Sequence, residues 1–145
     1  MKLSEKGIEF LIKEEGEVLK AYLCPAKVWT IGIGHTGLDV KKGMTITKKQ
    51  SREFFKNDIK YFENIVNKNI KINLKQSEFD ALVSLAFNIG EKAFSKSTLV
   101  SKINSLRTIE EVEEQFRRWI YSNGRILPVL QKRREREIIL YKEGY

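Results

Sequence analysis

The sequence predicts an α+β fold, mostly helical, in which a small antiparallel β-lobe and a helical lobe flank a substrate cleft. Three observations carry this expectation. Most of the 145 residues place apolar side chains at helical spacing, with charged residues on the opposite faces. Between Leu19 and Ile33 the pattern changes to short β-prone runs divided by a turn. Gly32, Gly34, Gly37 and Gly43 then crowd the exit from that region, marking tight turns or close backbone approach. There is no internal repeat, low-complexity segment or linker. The expected organisation is one domain over residues 1–145: a β-lobe at about 16–47, a connecting helix at about 48–67, and a helical lobe built from 1–15 and 68–145. A cleft between the lobes is the natural place for a ligand.

Each element has a local reason. Ser4 suits an N-cap, Ile8, Leu11 and Ile12 recur at helical spacing, and Gly16 is a stop, so a first helix is placed at about 4–15. Ala21-Tyr22-Leu23 and Val28-Trp29-Thr30-Ile31 read as strands joined by a turn at Pro25-Ala26-Lys27, with an irregular loop following to Ile46. Thr47 and Gln50 form a capping box, and Phe55, Ile59, Phe62 and Val66 make one apolar stripe on the helix behind it. A polar connection at 68–74 leads to a helix at about 75–89 that buries Phe79, Leu82, Val83 and Ala86 and ends at Gly90. Another helix follows Ser97, using Leu99, Val100 and Ile103. Thr108 and Glu111 form a second capping box before a stripe of Val112, Phe116, Trp119 and Ile120. Ser122-Asn123-Gly124 breaks the chain, and Pro128 opens a last helix to about Tyr141.

A net charge of +8 favours anionic partners: nucleic acid, a membrane surface or a charged polymer. The single Cys excludes an internal disulfide. No membrane anchor is expected, since the first residues lack an apolar core and no run approaches the roughly 18 apolar residues of a span.

The chemistry concentrates between Glu15 and Thr36, which holds the only His and the only Cys. Glu15 sits at a helix C-terminus, where the macrodipole disfavours the charged carboxylate, as a general acid requires. Taken alone, it also reads as part of an acidic surface with Glu14 and Glu17, and on chemistry alone that reading is the stronger. Cys24 reads as a small buried hydrophobe; a Cys–His pair would have to recruit His35. A lone His cannot make a metal site, so His35 is expected to be structural, bonded to backbone or a carboxylate. Gly32-x-Gly34-x-x-Gly37 is not followed by a helix, which excludes a dinucleotide loop. Lys132-Arg133-Arg134, Arg136 and Arg117-Arg118 are interleaved with glutamates, as on a solvated helical face, so nucleic acid is not the expected partner.

Glu-Gly-x3-Lys-Ala-Tyr, followed by Trp-Thr-Ile-Gly-Ile-Gly-His-Thr-Gly, resembles the phage-type lysozymes, or endolysins, of glycoside hydrolase family 24. The spacing Glu15-x8-Cys24-x5-Thr30 is similar to that family's catalytic pattern, in which many members carry Asp at the middle position. Gly43-Met44-Thr45-Ile46-Thr47, Phe87-Asn88-Ile89-Gly90, Ser97-Thr98-Leu99, Arg118-Trp119 and Arg133-Arg134-x2-Glu137 extend the resemblance over nearly the whole chain. The resemblance implies hydrolysis of the β-1,4 bond between N-acetylmuramic acid and N-acetylglucosamine in bacterial peptidoglycan. Glu15 would be the general acid, with Cys24 and Thr30 positioning or activating water in an inverting reaction. Thr36, Phe87, Asn88 and Thr98 are the implied sugar contacts, with Phe87 also fitting the core and Asn88 a helix cap. No metal or cofactor is implied, and a monomer is expected. Such a chain would reside in the host bacterial cytoplasm until a separate pore-forming protein releases it to the wall. An ordinary thiol is only a few per cent ionised at pH 7, whereas an Asp is almost wholly so, which makes Cys24 the departure to explain. Two other readings stay open: a peptidoglycan-binding module weakened in catalysis by Cys24, and a basic nucleic-acid-binding helical domain.

Overall fold

The computed structural model describes residues 1–145. Helix α1 (Glu5–Glu15) leads into strands β1 (Val18–Leu23), β2 (Trp29–Gly32) and β3 (His35–Thr36), then helices α2 (Lys48–Asn69), α3 (Gln76–Ile89), α4 (Glu91–Ser95), α5 (Thr98–Asn104) and α6 (Ile109–Arg117). A hairpin of β4 (Tyr121–Ser122) and β5 (Arg125–Ile126) precedes α7 (Pro128–Lys142).

Caps set the helix starts. Ser4 accepts from the Gly7 N–H at 3.0 Å at the head of α1. Thr47 and Gln50 bond reciprocally at the head of α2, at 3.1 and 2.8 Å. Thr108 and Glu111 do the same for α6. The α2 stripe expected from the sequence faces inward: Phe55 and Val66 are buried, and Ile59 and Phe62 pack against the same core. At a rise of about 1.5 Å per residue, α2 spans roughly 33 Å. It contacts β2 and β3 as well as α3 and α4, and so joins the sheet to the helices.

Helix α3 is the hub. Its residues are buried almost all round, and it packs against α7, α2, α1 and α4. Fully burying side chains such as Phe79 and Leu82 contributes about 1.5–3 kcal/mol each. The sheet runs β1-β2-β3, antiparallel throughout, and Ala21, Ile31 and Val40 make a small separate core beneath it. Ile33, in the turn after β2, belongs instead to the main core and pins the sheet to the helices.

Several elements differ from the sequence reading. Helix α2 extends to Asn69 rather than 67. The stretch expected as irregular loop contains β3, and Lys20 bridges to Thr45, so the loop closes along β1. Helix α4 was not anticipated, because five residues are too short to show periodicity. Trp119 and Ile120 lie beyond α6, which ends at Arg117. Ser122-Asn123-Gly124 is more than a break: Asn123 and Gly124 have φ of 51° and 76° and form the two-residue turn of the β4–β5 hairpin.

Candidate active site

Helix α1 delivers Glu15 as its last residue, because Gly16 (φ 68°) turns the chain away and donates its N–H to the Ile12 carbonyl at 2.8 Å. The side chain points into a cleft of about 730 Å³ between the sheet and the helices. There Glu15 Oε2 accepts from Arg133 Nη1 at 2.6 Å, although the two lie 118 positions apart. The turn after β2 brings Gly34 against the same carboxylate. A Cβ at Gly34 would stand 2.5 Å from Glu15 Oε1, and its φ of +64° also favours glycine.

The sheet register places the rest. Tyr22 pairs with Thr30, and Thr30 with Thr36, so one row of side chains crosses β1, β2 and β3 and lines the cleft. The alternate residue Ile31 drops into the small core. Thr30 is buried, and its Oγ1 donates to the Val28 carbonyl at 3.0 Å, which leaves the oxygen lone pairs as acceptors. Cys24 begins the β1–β2 turn: its N–H donates to Val28 O at 3.0 Å, and its carbonyl accepts from Lys27 N at 2.8 Å. It is half-buried and lines the cleft.

Glu15, Cys24, Thr30, Thr36, Phe87 and Asn88 are thus brought to one cleft. Phe87 is nearly buried and packs on Phe62 and Phe55, with centroids at 5.2 and 6.2 Å, so its edge serves both core and cleft. Asn88 is exposed, and its Oδ1 accepts from Arg134 Nη2. Thr98 is not brought there. It lies on a neighbouring pocket of about 440 Å³ with Gln115, and Trp119 lines both spaces.

Sequence reasoning missed Tyr22, Gly34 and Arg133 as parts of this site. Burial pushes the Tyr22 phenol up, and the charges of Glu15 and Cys24 push it the same way. Burial lowers the Arg133 pKa, but Glu15 and Glu137 outweigh it and hold the guanidinium above its ordinary value. The Lys-Ala-Tyr and Arg-Arg runs were visible signals; their approach to Glu15 was not. His35 takes a structural place. Its Nδ1 lies 2.7 Å from Asp58, its Nε2 lies 3.0 Å from Asp39, and its ring stacks on Phe54.

Residues 12–137 match the family model for phage lysozyme. The chain belongs to the phage lysozyme family. It is 39% identical to the endolysin of Salmonella phage P22, over 97% of this chain and 98% of that one. It is 40% identical to the endolysin of Bacillus phage PZA over 99% of its own length, but spans only 56% of that relative. Among solved structures, the muramidase domain of SpmX from Asticaccaulis excentricus superposes with a TM-score of 0.84, at 32% identity and 97% coverage of both chains. As a family member the chain is an enzyme, a glycoside hydrolase of the lysozyme class.

Proposed function

We propose that this chain is an endolysin-type muramidase of glycoside hydrolase family 24. Its substrate is the β-1,4 bond between N-acetylmuramic acid and N-acetylglucosamine in bacterial peptidoglycan. The observation that carries this reading is the convergence of Glu15, Cys24 and Thr30, from α1, the β1–β2 turn and β2, on one cleft between sheet and helices. Glu15 gives its proton to the glycosidic oxygen as the bond to C1 breaks. The oxygen of a water held by Cys24 and Thr30 forms the new bond to C1 from the opposite face as the Cys24 thiolate takes its proton; the thiol so formed then loses that proton to solvent, and solvent returns one to Glu15. Arg133 holds the carboxylate left behind. Displacement from the opposite face inverts the anomeric centre. Thr36, Phe87 and Asn88 contact the sugars from the cleft walls, and Thr98 meets groups that extend past Trp119 into the next pocket.

No helix is long and apolar enough to cross a membrane. On this reading the enzyme is a monomer held in the host cytoplasm until a separate pore-forming protein admits it to the wall. The net charge of +8 suits a wall bearing anionic groups better than it suits nucleic acid, since glutamates are interleaved with the basic residues of α6 and α7.

The deciding experiment is clearing of permeabilised bacterial cells by wild type and Glu15→Gln. Wild type clears, and the variant loses at least about 100-fold in rate. Wild type that binds sacculi without clearing them overturns the enzyme mechanism. On a soluble oligosaccharide the first product read by NMR is the α anomer; a β product refutes inversion.

A further inference from the structure

Two arginines of α7 share one buried counter-ion. Glu137 is fully buried. Its Oε2 accepts from Ser84 Oγ at 2.5 Å and from Arg133 Nε at 3.3 Å, and its Oε1 lies 2.9 Å from Arg134 Nε. Each guanidinium then reaches a different part of the cleft. Arg133 Nη1 donates to Glu15 Oε2 at 2.6 Å, and Arg134 Nη2 donates to Asn88 Oδ1. Ser84, on α3, closes the bracket, since both its Oγ and its carbonyl accept from Arg133 Nη2, at 3.3 and 3.2 Å.

The second arm fixes a polarity. Arginine only donates, so the oxygen of the Asn88 amide has to face Arg134. The Nδ2 of Asn88 has no partner in the protein, and the residue is exposed on the cleft wall. Asn88 therefore turns its N–H donors toward an acceptor oxygen of whatever fills the cleft. A free amide in that place would flip and read donors and acceptors alike.

We propose that Glu137 is a positioning residue for the glycosidase reaction, orienting Glu15 through Arg133 and Asn88 through Arg134. The proposal rests on the muramidase reading. The charge balance supports it. Two buried, adjacent guanidiniums are neutralised by Glu137 from within, and by Glu15 from the cleft once its proton has gone to the leaving group. Without Glu137, both would compete for Glu15 and shift it, and a displaced catalytic group is costly in rate. Burial pushes the Arg134 pKa down, and Glu137 opposes that shift.

The test is steady-state kinetics on a soluble peptidoglycan fragment, across pH, for Glu137→Gln, Arg134→Met and Ser84→Ala, each checked for folding by circular dichroism. Arg134→Met removes the Asn88 arm, so its main effect falls on KM, which rises about tenfold. Glu137→Gln disturbs both arms: kcat falls at least about tenfold, KM rises, and the pH profile of kcat moves. Ser84→Ala reproduces the Glu137→Gln pattern more weakly, and carries the same test should Glu137→Gln not fold. Glu137→Asp, which keeps the charge, recovers part of the lost kcat. A folded Glu137→Gln or Ser84→Ala with wild-type kcat, KM and pH profile overturns the proposal. So does a folded Arg134→Met variant with wild-type KM. Inactive wild type sinks the muramidase reading instead, which keeps the two failures apart.

Discussion

Gly34 matters because of what stands opposite it. With a Cβ only 2.5 Å from Glu15 Oε1, even alanine would have to displace the carboxylate or the turn, in a backbone conformation that already disfavours it. Gly34→Ala should lose about 1–3 kcal/mol of stability and at least about tenfold in kcat, read by thermal melts and clearing rates. Wild-type activity in a folded variant would mean that Glu15 works from another position. Cys24 is the second residue with a sharp expectation. Cys24→Asp should remain active with a pH optimum moved downward, because an ordinary carboxyl ionises near pH 4 and an ordinary thiol near 8.5. Full activity in Cys24→Ala would remove the thiol from the mechanism.

At the level of elements, the join between sheet and α2 depends on His35. The hydrogen bond to Asp58 raises its pKa to about 8, against the opposing effect of burial and with help from Asp39. A raised folded pKa means stability that is fully present below about pH 6.5 and lost as pH rises through about 8. The contribution is at most about 2 kcal/mol. Asp58→Asn should lower the melting temperature at pH about 6 and change it little above pH about 9. An equal loss at both pH values would show that charge on His35 contributes nothing. The elements were legible where they carry their own signals. The α2 stripe and its capping box lie within twenty residues of one another and need no partner to be read. Helix α4 and the β4–β5 hairpin were not, since five-residue helices and two-residue strands carry no period.

For the molecule as a whole, the charge of +8 and the cleft act together. No lysine of the β-lobe or α2 forms an ion pair, the paired lysines being Lys6, Lys102 and Lys142, so the enzyme should approach an anionic wall faster than a neutral body would. Clearing rate should fall as ionic strength rises past the point where the screening length is about 10 Å, while hydrolysis of a short neutral oligosaccharide stays nearly constant. A salt response equal in both substrates would place the charge effect inside the cleft instead. Much of the candidate site was legible at the level of residue identity: Glu15, Cys24 and Thr30 reach one cleft from one helix end and one hairpin, both local events. Composition and short-range spacing were therefore enough for the fold class and the stretch that holds the rare residues, while the resemblance supplied the family pattern. Packing alone decided that Arg133 meets Glu15, that Glu137 neutralises two arginines, that Thr98 faces a different pocket from Phe87 and Asn88, and that Gly34 must lack a side chain. Those facts join positions from opposite ends of the chain. No local periodicity encodes such a meeting; it arises only when α3 draws α1 and α7 onto one core.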